Sequence, residues 1–240
     1  MQIDTTTRTL APELMDDFEM SGDVLEEALI KIANINQLLG GNKITINGIQ
    51  KLITKTDKTQ EITIIDVGCG NGDMLRKIAD FGLANNLNFK LIGLDANQFT
   101  IQCAKKLSVL YPTIKFEVAD ILDSSFENYS ADIFLCTLTL HHFSDREIEK
   151  LLTVMHKNST HGIVINDLHR NAFAYRLFQI LCLIFRLKTM TKQDGLTSIL
   201  RGFKKEELVA FSQKLNFINV KIKWKWAFRY QWIIWKSLEV

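Results

Sequence analysis

Ile62-Thr63-Ile64-Ile65-Asp66-Val67-Gly68-Cys69-Gly70-Asn71-Gly72-Asp73 decides the fold of this chain. It reads as a buried strand running straight into a glycine-rich turn. Such a turn must bend sharply and let backbone amides approach a ligand closely, and glycine permits both. The helix that follows offers free N–H groups at its start. Asp66 stands two positions before the first glycine. A second acid, Asp95, closes the next apolar run, Leu91-Ile92-Gly93-Leu94. This pairing predicts a pocket for a nucleoside-bearing cofactor. The spacing is G-x-G-x-G, whereas a dinucleotide-binding turn has G-x-G-x-x-G. The third glycine comes one residue early.

Working outward, apolar residues at helical spacing predict a helix over 22–39, stopped by Gly40-Gly41, and a second short one over 47–54. Strands are predicted at 62–67, 89–95, 114–118, 132–136 and 163–165. Helices follow at 73–85, at 98–109 and after Ser144, where Ser144-Asp145-Arg146-Glu147 fits a capping box. Alternation of strand and helix implies a parallel sheet with helices on both faces. The apolar run 172–187 is an insertion over the carboxyl edge of the sheet, where ligands bind in such folds. After a helix at 204–214, residues 220–232 alternate strictly, which predicts two antiparallel strands bent near Ala227, with Trp inward and Lys outward. The expected fold is α/β: a doubly wound, seven-stranded, mostly parallel sheet with an antiparallel C-terminal hairpin. As a single domain it divides into a helical N-terminal extension (1–60), a cofactor-binding core (61–170), a helical cap insertion (171–203) and a last helix with the hairpin (204–240).

Bulk properties agree. The 240 residues suit one domain, and 47% hydrophobic with 23% charged residues is an ordinary globular balance. A net charge of +2 is too small to predict nucleic-acid binding. The four cysteines are far apart and form no zinc-spaced pair, which favours reduced thiols, no metal and a cytoplasmic protein. Met1 to Leu10 is too polar for a signal peptide. The apolar run 172–187, broken by Arg176, Gln179 and Arg186, is too short to span a membrane.

The chain resembles the class I S-adenosylmethionine-dependent methyltransferases, whose first motif is an acid followed by G-x-G-x-G. The resemblance covers about residues 60–170. It implies that Asp66 and the turn Gly68, Cys69, Gly70 and Gly72 hold the methionine portion of S-adenosylmethionine. It likewise implies that Asp95 and Ala96 meet the ribose, and that Ala119, Asp120 and Ile121 meet the adenine. Cys136-Thr137-Leu138-Thr139-Leu140-His141-His142-Phe143 is similar to the segment after the fourth strand in small-molecule methyltransferases of the quinone-biosynthesis type, which adds Cys136 and Thr137 to the cofactor contacts. The resemblance implies S-adenosylhomocysteine as product, no metal, and the segment Thr5–Gly22 lying over the cofactor as a lid.

Methyl transfer from a sulfonium asks the protein to position a nucleophile and to remove its proton where needed. His141, His142 and His169 lie at carboxyl ends of strands and are the candidate bases. Each has a plainer alternative, as a partner for loop backbone or within an internal hydrogen-bond network. His169, Arg170, Tyr175 and Phe178 are the candidate substrate contacts. Read as a cap, the apolar insertion predicts a small hydrophobic or aromatic acceptor, methylated at a hydroxyl; the same run also suits a core helix buried on the sheet. A C-methyltransferase on a quinone-like ring and a non-catalytic S-adenosylmethionine-binding protein are the alternatives. The tetrad Thr137-Leu138-Thr139-Leu140 disfavours amino-methylation of adenine or glutamine, and no nucleic-acid partner is expected. The Lys/Trp-rich tail admits peripheral membrane contact, but a solvated sheet edge shows the same alternation and is preferred. Oligomeric state is left open.

Overall fold

A computed structural model describes residues 3–54, 56–57 and 59–236. The chain opens with a 3-10 turn at Leu14–Asp16, then α1 (Asp23–Leu38) and α2 (Gly41–Leu52). The alternating core follows: β1 (Glu61–Val67), α3 (Asp73–Asn85), β2 (Asn88–Asp95), α4 (Gln98–Leu107), β3 (Ile114–Val118), β4 (Ala131–Thr137), α5 (Asp145–Asn158) and β5 (Ser159–Leu168). The chain continues as α6 (Ala172–Ile184), α7 (Thr189–Arg201), α8 (Lys205–Lys214), β6 (Val220–Lys225) and β7 (Arg229–Trp235). One seven-stranded sheet results, in the order β3-β2-β1-β4-β5-β7-β6. Its first five strands are parallel, and β7 pairs antiparallel with both β5 and β6. This is the expected fold class, with the bend at Ala227 forming the hairpin turn.

Period-two alternation divides the core. Ile62 and Ile64 of β1, Ile133 and Leu135 of β4, and Val164 of β5 pack with α2, α3 and α4 on one face. Ile65, Val67, Phe134, Cys136, Ile163, Ile165 and Trp232 pack with α5 and α8 on the other. In-register pairing brings Val67 level with Leu94 and with Cys136, so the loops leaving β1, β2 and β4 share one edge. The helices α1, α6 and α7 lie over that edge.

Four expectations change. The second helix begins at Gly41, because Gly40 in the left-handed region (φ 75°) turns the chain into a new helix. β5 continues through Asn166 and Asp167 to Leu168, since Asn166 pairs with Gln231 and Asp167 with Tyr230 on β7. The insertion holds a second helix, α7, unannounced by any apolar period. In the hairpin, Arg229 and Gln231 are buried, because β7 has a strand on each side and a helix on its faces, whereas Trp224 and Trp226 are exposed on the edge and in the turn.

Candidate active site

The glycine turn is shaped by what surrounds it. Gly68, Gly70 and Gly72 all have positive φ. At Gly68 a β-carbon would lie 2.3 Å from Thr139 Cγ2, so a side chain is excluded by space as well as by backbone conformation. The Gly68 and Cys69 N–H groups donate to the Leu94 carbonyl at 2.8 and 2.9 Å, and the Gly70 N–H donates to Asp95 Oδ2 at 3.0 Å. Asp95 Oδ1 accepts from the Asn97 N–H at 3.0 Å. The Asp95 carboxylate therefore locks the turn to the end of β2 and keeps lone pairs directed at the cavity.

That cavity has a volume of about 760 Å³ and runs from the turn to α6 and α7. Asp66, Gly68, Cys69, Gly70, Asp95, Ala96, Asp120, Ile121 and Thr137 all line it, as do His141, His142, His169 and Phe178. Four of the predicted residues do not. Gly72 caps α3 in the left-handed conformation. Cys136 faces the core beneath the sheet edge. Tyr175 lies one residue, about 100°, round α6 from the cavity-lining Ala174. Arg170 is wholly buried, donating to Glu207 Oε1 at 2.6 Å and Oε2 at 3.0 Å and to the carbonyls of Thr5, Thr6 and Gly202. Its forked donors are spent on tying the N-terminal segment to α8, so it is a structural cation.

Asp66 is 2% exposed and its Oδ1 has no hydrogen-bond partner. Burial, then the neighbouring Asp95, pushes its carboxyl up to about 7. At the far end stands a second polar group. The His141 Nδ1 is 2.7 Å from Asp167 Oδ1, and the His141 backbone N–H donates to Asp167 Oδ2 at 3.2 Å. Burial alone would raise the Asp167 carboxyl, but His141 outweighs it and holds the group below its ordinary value. His141 Nε2 has no hydrogen-bond partner and lies 3.8 Å from Glu13 Oε1, which also has none. Burial pushes Glu13 up to about 7 against the opposing pull of His142, a Ser198 hydrogen bond and Arg201.

Glu13, Asp16, Met15 and Phe18 line the cavity from the N-terminal segment, the place the lid was expected. α7 holds them there. Asp194 accepts from the Leu14 and Met15 N–H groups at 2.9 and 3.1 Å, Ser198 donates to Glu13 at 2.7 Å, and Arg201 donates to Asp16 at 2.6 Å. His142 Nδ1 is 2.6 Å from Asp16 Oδ1, so this histidine ties the N-terminal segment to the loop after β4. His169 Nδ1 accepts from the Trp224 indole N–H at 3.2 Å. Burial, followed by Lys204 and Arg170, lowers its pKa, which suits that acceptor role.

Glu13, His141 and His142 bring potential ligand atoms within 4.8 Å of one another. His142 Nδ1 is already engaged by Asp16, and the Arg201 guanidinium lies 3.7 Å from Glu13 Oε1. The cluster is thus already supplied with a cation of its own. Glu13, Asp167, Asp194 and Arg201 were not singled out as site residues from the sequence.

Residues 64–162 match the family described as methyltransferase domain. A tRNA (carboxymethyluridine(34)-5-O)-methyltransferase of Saccharomyces cerevisiae is 34% identical over 83 residues, which is 35% of this chain and 26% of that protein. The chain thus matches about a quarter of that relative's length. Among solved structures, the plantazolicin methyltransferase BpumL in complex with SAH superposes with a TM-score of 0.65 at 17% identity, covering 87% of this chain and 89% of that one. Human N-acetylserotonin methyltransferase in complex with SAM gives 0.61 at 12% identity, covering 89% and 56%. An O-methyltransferase family protein from Burkholderia thailandensis gives 0.60 at 16%, covering 87% and 58%. At these identities the likeness is one of fold. Residues 64–162 thus match a methyltransferase domain, and the fold around them is the class I, Rossmann-like one that these S-adenosylmethionine-dependent methyltransferases share. To that fold the chain adds its N-terminal segment, the pair α6–α7 and the C-terminal hairpin.

Proposed function

We propose that the protein transfers a methyl group from S-adenosylmethionine to a hydroxyl of a small apolar or aromatic acceptor, with His141 as the base. The observation that carries this reading is the His141–Asp167 pair. Nδ1 lies 2.7 Å from Asp167 Oδ1, and with the proton on Nδ1 donated to that carboxylate the Nε2 lone pair would be the one offered to the acceptor. Opposite lies the apolar wall of Leu177, Phe178, Leu181, Ile199 and Phe228.

The turn end fits the cofactor. Asp66, with its unpartnered buried oxygen, would take the methionine ammonium, and Asp95 the ribose hydroxyls. Asp120 and Ile121 would meet the adenine. When bound, S-adenosylmethionine supplies an electrophilic methyl group and its own leaving group. The protein's part is to hold the acceptor hydroxyl against His141 Nε2, take its proton there, and stabilise the resulting imidazolium between Asp167 and Glu13. His169 and Phe178 are proposed to bound the acceptor. The same base applied to a ring hydroxyl would also activate the ring for C-methylation.

The test is transfer of a tritium-labelled methyl group to a panel of alkylphenols. Wild-type protein is expected to label the free phenols and to leave their methyl ethers unlabelled. Label found on transfer RNA and on no phenol would sink this reading in favour of the activity of the yeast relative. The position of the label, read by NMR, separates oxygen from carbon.

Asp66 adds a pH dependence. Free, its carboxyl titrates at about 7, and a cationic ammonium beside it favours the ionised form. Binding therefore releases a proton, so affinity for S-adenosylhomocysteine rises between about pH 6 and pH 7.5 and levels off above. Calorimetry in buffers of different ionisation heat should detect the released proton near pH 7. Asp66→Asn, with nothing to release, should bind more weakly and show no such slope.

A further inference from the structure

The face beside the cavity is apolar, aromatic and basic at once. Phe173, Ile180, Leu183 and Ile184 recur at helical spacing along one side of α6, and all point to solvent. Trp224 and Trp226 extend this stripe onto the hairpin. The Phe228 ring joins the two parts, with centroids 5.8 Å from Phe173, 5.9 Å from Trp224 and 5.8 Å from Trp226. Exposure of these six residues runs from 48% for Trp224 to 74% for Leu183. Single exposed apolar residues need no explanation, but a contiguous patch of this kind marks an interaction surface.

Two further observations say what covers it. The segments 171–192 and 219–236 that build the face contain no Asp or Glu, while Arg176, Arg186 and Lys192 on the first are exposed. The lysines of β6 stand on the other side of that strand from Trp224 and crowd about Lys51 of α2, whose ammonium they depress after burial, so the cations of the face itself are those on and after α6. An apolar stripe with indoles and a surplus of cations is complementary to an anionic lipid surface. Secondly, Ile180 and Trp226 both line the cavity and stand in solvent, so the patch borders the cavity. α6 has 13 residues, and no described helix is long and apolar enough to cross a membrane.

We propose that this face docks on an anionic bilayer, with α6 lying in the plane of the interface and the hairpin turn among the headgroups. The cavity then lies against the leaflet. Where the methyl-transfer reading holds, on which this second step rests, the acceptor is a membrane-partitioned amphiphile whose apolar part fills the α6–α7 wall and whose hydroxyl reaches His141. The sequence favoured a solvated sheet edge for the hairpin. The outward Trp224 and Trp226 reverse that preference.

The experiment is flotation of the full chain with vesicles of phosphatidylcholine, with and without phosphatidylglycerol. Expected is partition onto the anionic vesicles and a blue shift of tryptophan emission, since the chain's four tryptophans all lie between 224 and 235. Each cation near an anionic surface contributes about fivefold in partition. Arg176→Glu/Arg186→Glu and, separately, Leu183→Glu/Ile184→Glu should therefore weaken binding at least tenfold. None of these four residues lines the cavity, so thermal stabilisation by S-adenosylhomocysteine should stay at the wild-type value, which also reports that the variants fold. Absence of binding to anionic vesicles overturns the proposal. So does binding that both double variants leave unchanged, or a dimer that Leu183→Glu/Ile184→Glu converts to monomer with no vesicle binding in the wild type. The two readings fail separately. Phenol methylation without vesicle binding removes only the docking, and vesicle binding without methylation of any phenol removes only the chemistry.

Discussion

Asp95→Ala should abolish useful cofactor binding. The carboxylate has two tasks that the structure separates. Inward, it accepts from the Gly70 and Asn97 N–H groups at 3.0 Å each, which holds the glycine turn against the end of β2. Outward, it faces the cavity, where two vicinal hydroxyls of a ribose would donate to it. Charge-assisted bonds of this kind contribute roughly 1.5–3 kcal/mol each. Losing both corresponds to a rise in Kd for S-adenosylhomocysteine of about 10²–10⁴-fold, read by calorimetry. In a thermal shift, a hundredfold excess over the wild-type Kd stabilises wild type by about 2.7 kcal/mol, and the variant should show almost none of this. Asp95→Asn keeps one acceptor oxygen and should fall between. Since Asp95 also holds Gly70, the variant's hydrogen exchange should quicken at the turn while the β1 interior stays protected. NAD should stabilise neither protein. Stabilisation by NAD in place of S-adenosylhomocysteine would contradict the cofactor assignment.

The turn end of the cavity was legible in the sequence because its parts are local. Asp66 to Gly70, Asp95-Ala96 and Asp120-Ile121 each sit where a parallel strand ends, and parallel pairing brings such ends to one edge. Nothing in 3 to 20 announces Glu13. Its place is set by Asp194 and Ser198, some 180 residues on. The helix that carries them escapes a periodicity reading, since α7 buries Thr191, Asp194 and Arg201 alongside Met190 and Ile199 and has Gly195 in its interior. Asn166 and Asp167 mislead in the opposite sense. A polar pair reads as the end of a strand, yet both are interior residues of β5. Gly41 and Thr45 partner the amide of Asn166, and His141 partners Asp167. Buried polar groups are tolerated where such partners exist, and a one-dimensional pattern does not display partners that arrive from other elements. Arg170 was singled out for the same density of polar groups, and a buried ion pair is what that density produced.

His141→Asn and Asp167→Asn should each lower kcat by about 10²–10⁴-fold, the usual contribution of a positioned base, with S-adenosylhomocysteine affinity unchanged. The two variants fail for different reasons. Removing the imidazole removes the lone pair. Replacing Asp167 removes the acceptor that keeps the proton on Nδ1, so Nε2 takes the proton and faces the acceptor hydroxyl as a donor. Because Asp167 also accepts from the His141 and Leu168 N–H groups, loss of rate there must be separated from loss of structure. Glu13→Gln makes the separation. Burial raises the Glu13 carboxyl to about 7, so the folded protein binds this proton more tightly than the unfolded chain does. Its stabilising contribution is complete below the unfolded value of about 4.5 and is lost as pH rises through about 7. A neutral glutamine does not incur that loss, so at about pH 8 Glu13→Gln should be more stable than wild type, by roughly 1–3 kcal/mol on the scale of a two-unit shift. In the same pH range it should be slower, because ionised Glu13, 3.8 Å from Nε2, favours the imidazolium that proton transfer creates. A variant that is more stable and less active, with the rising limb of its pH–rate profile made shallower, assigns Glu13 to the base site and excludes a purely structural part. Equal rates for wild type and Glu13→Gln above pH 7 would leave His141 and Asp167 to act alone.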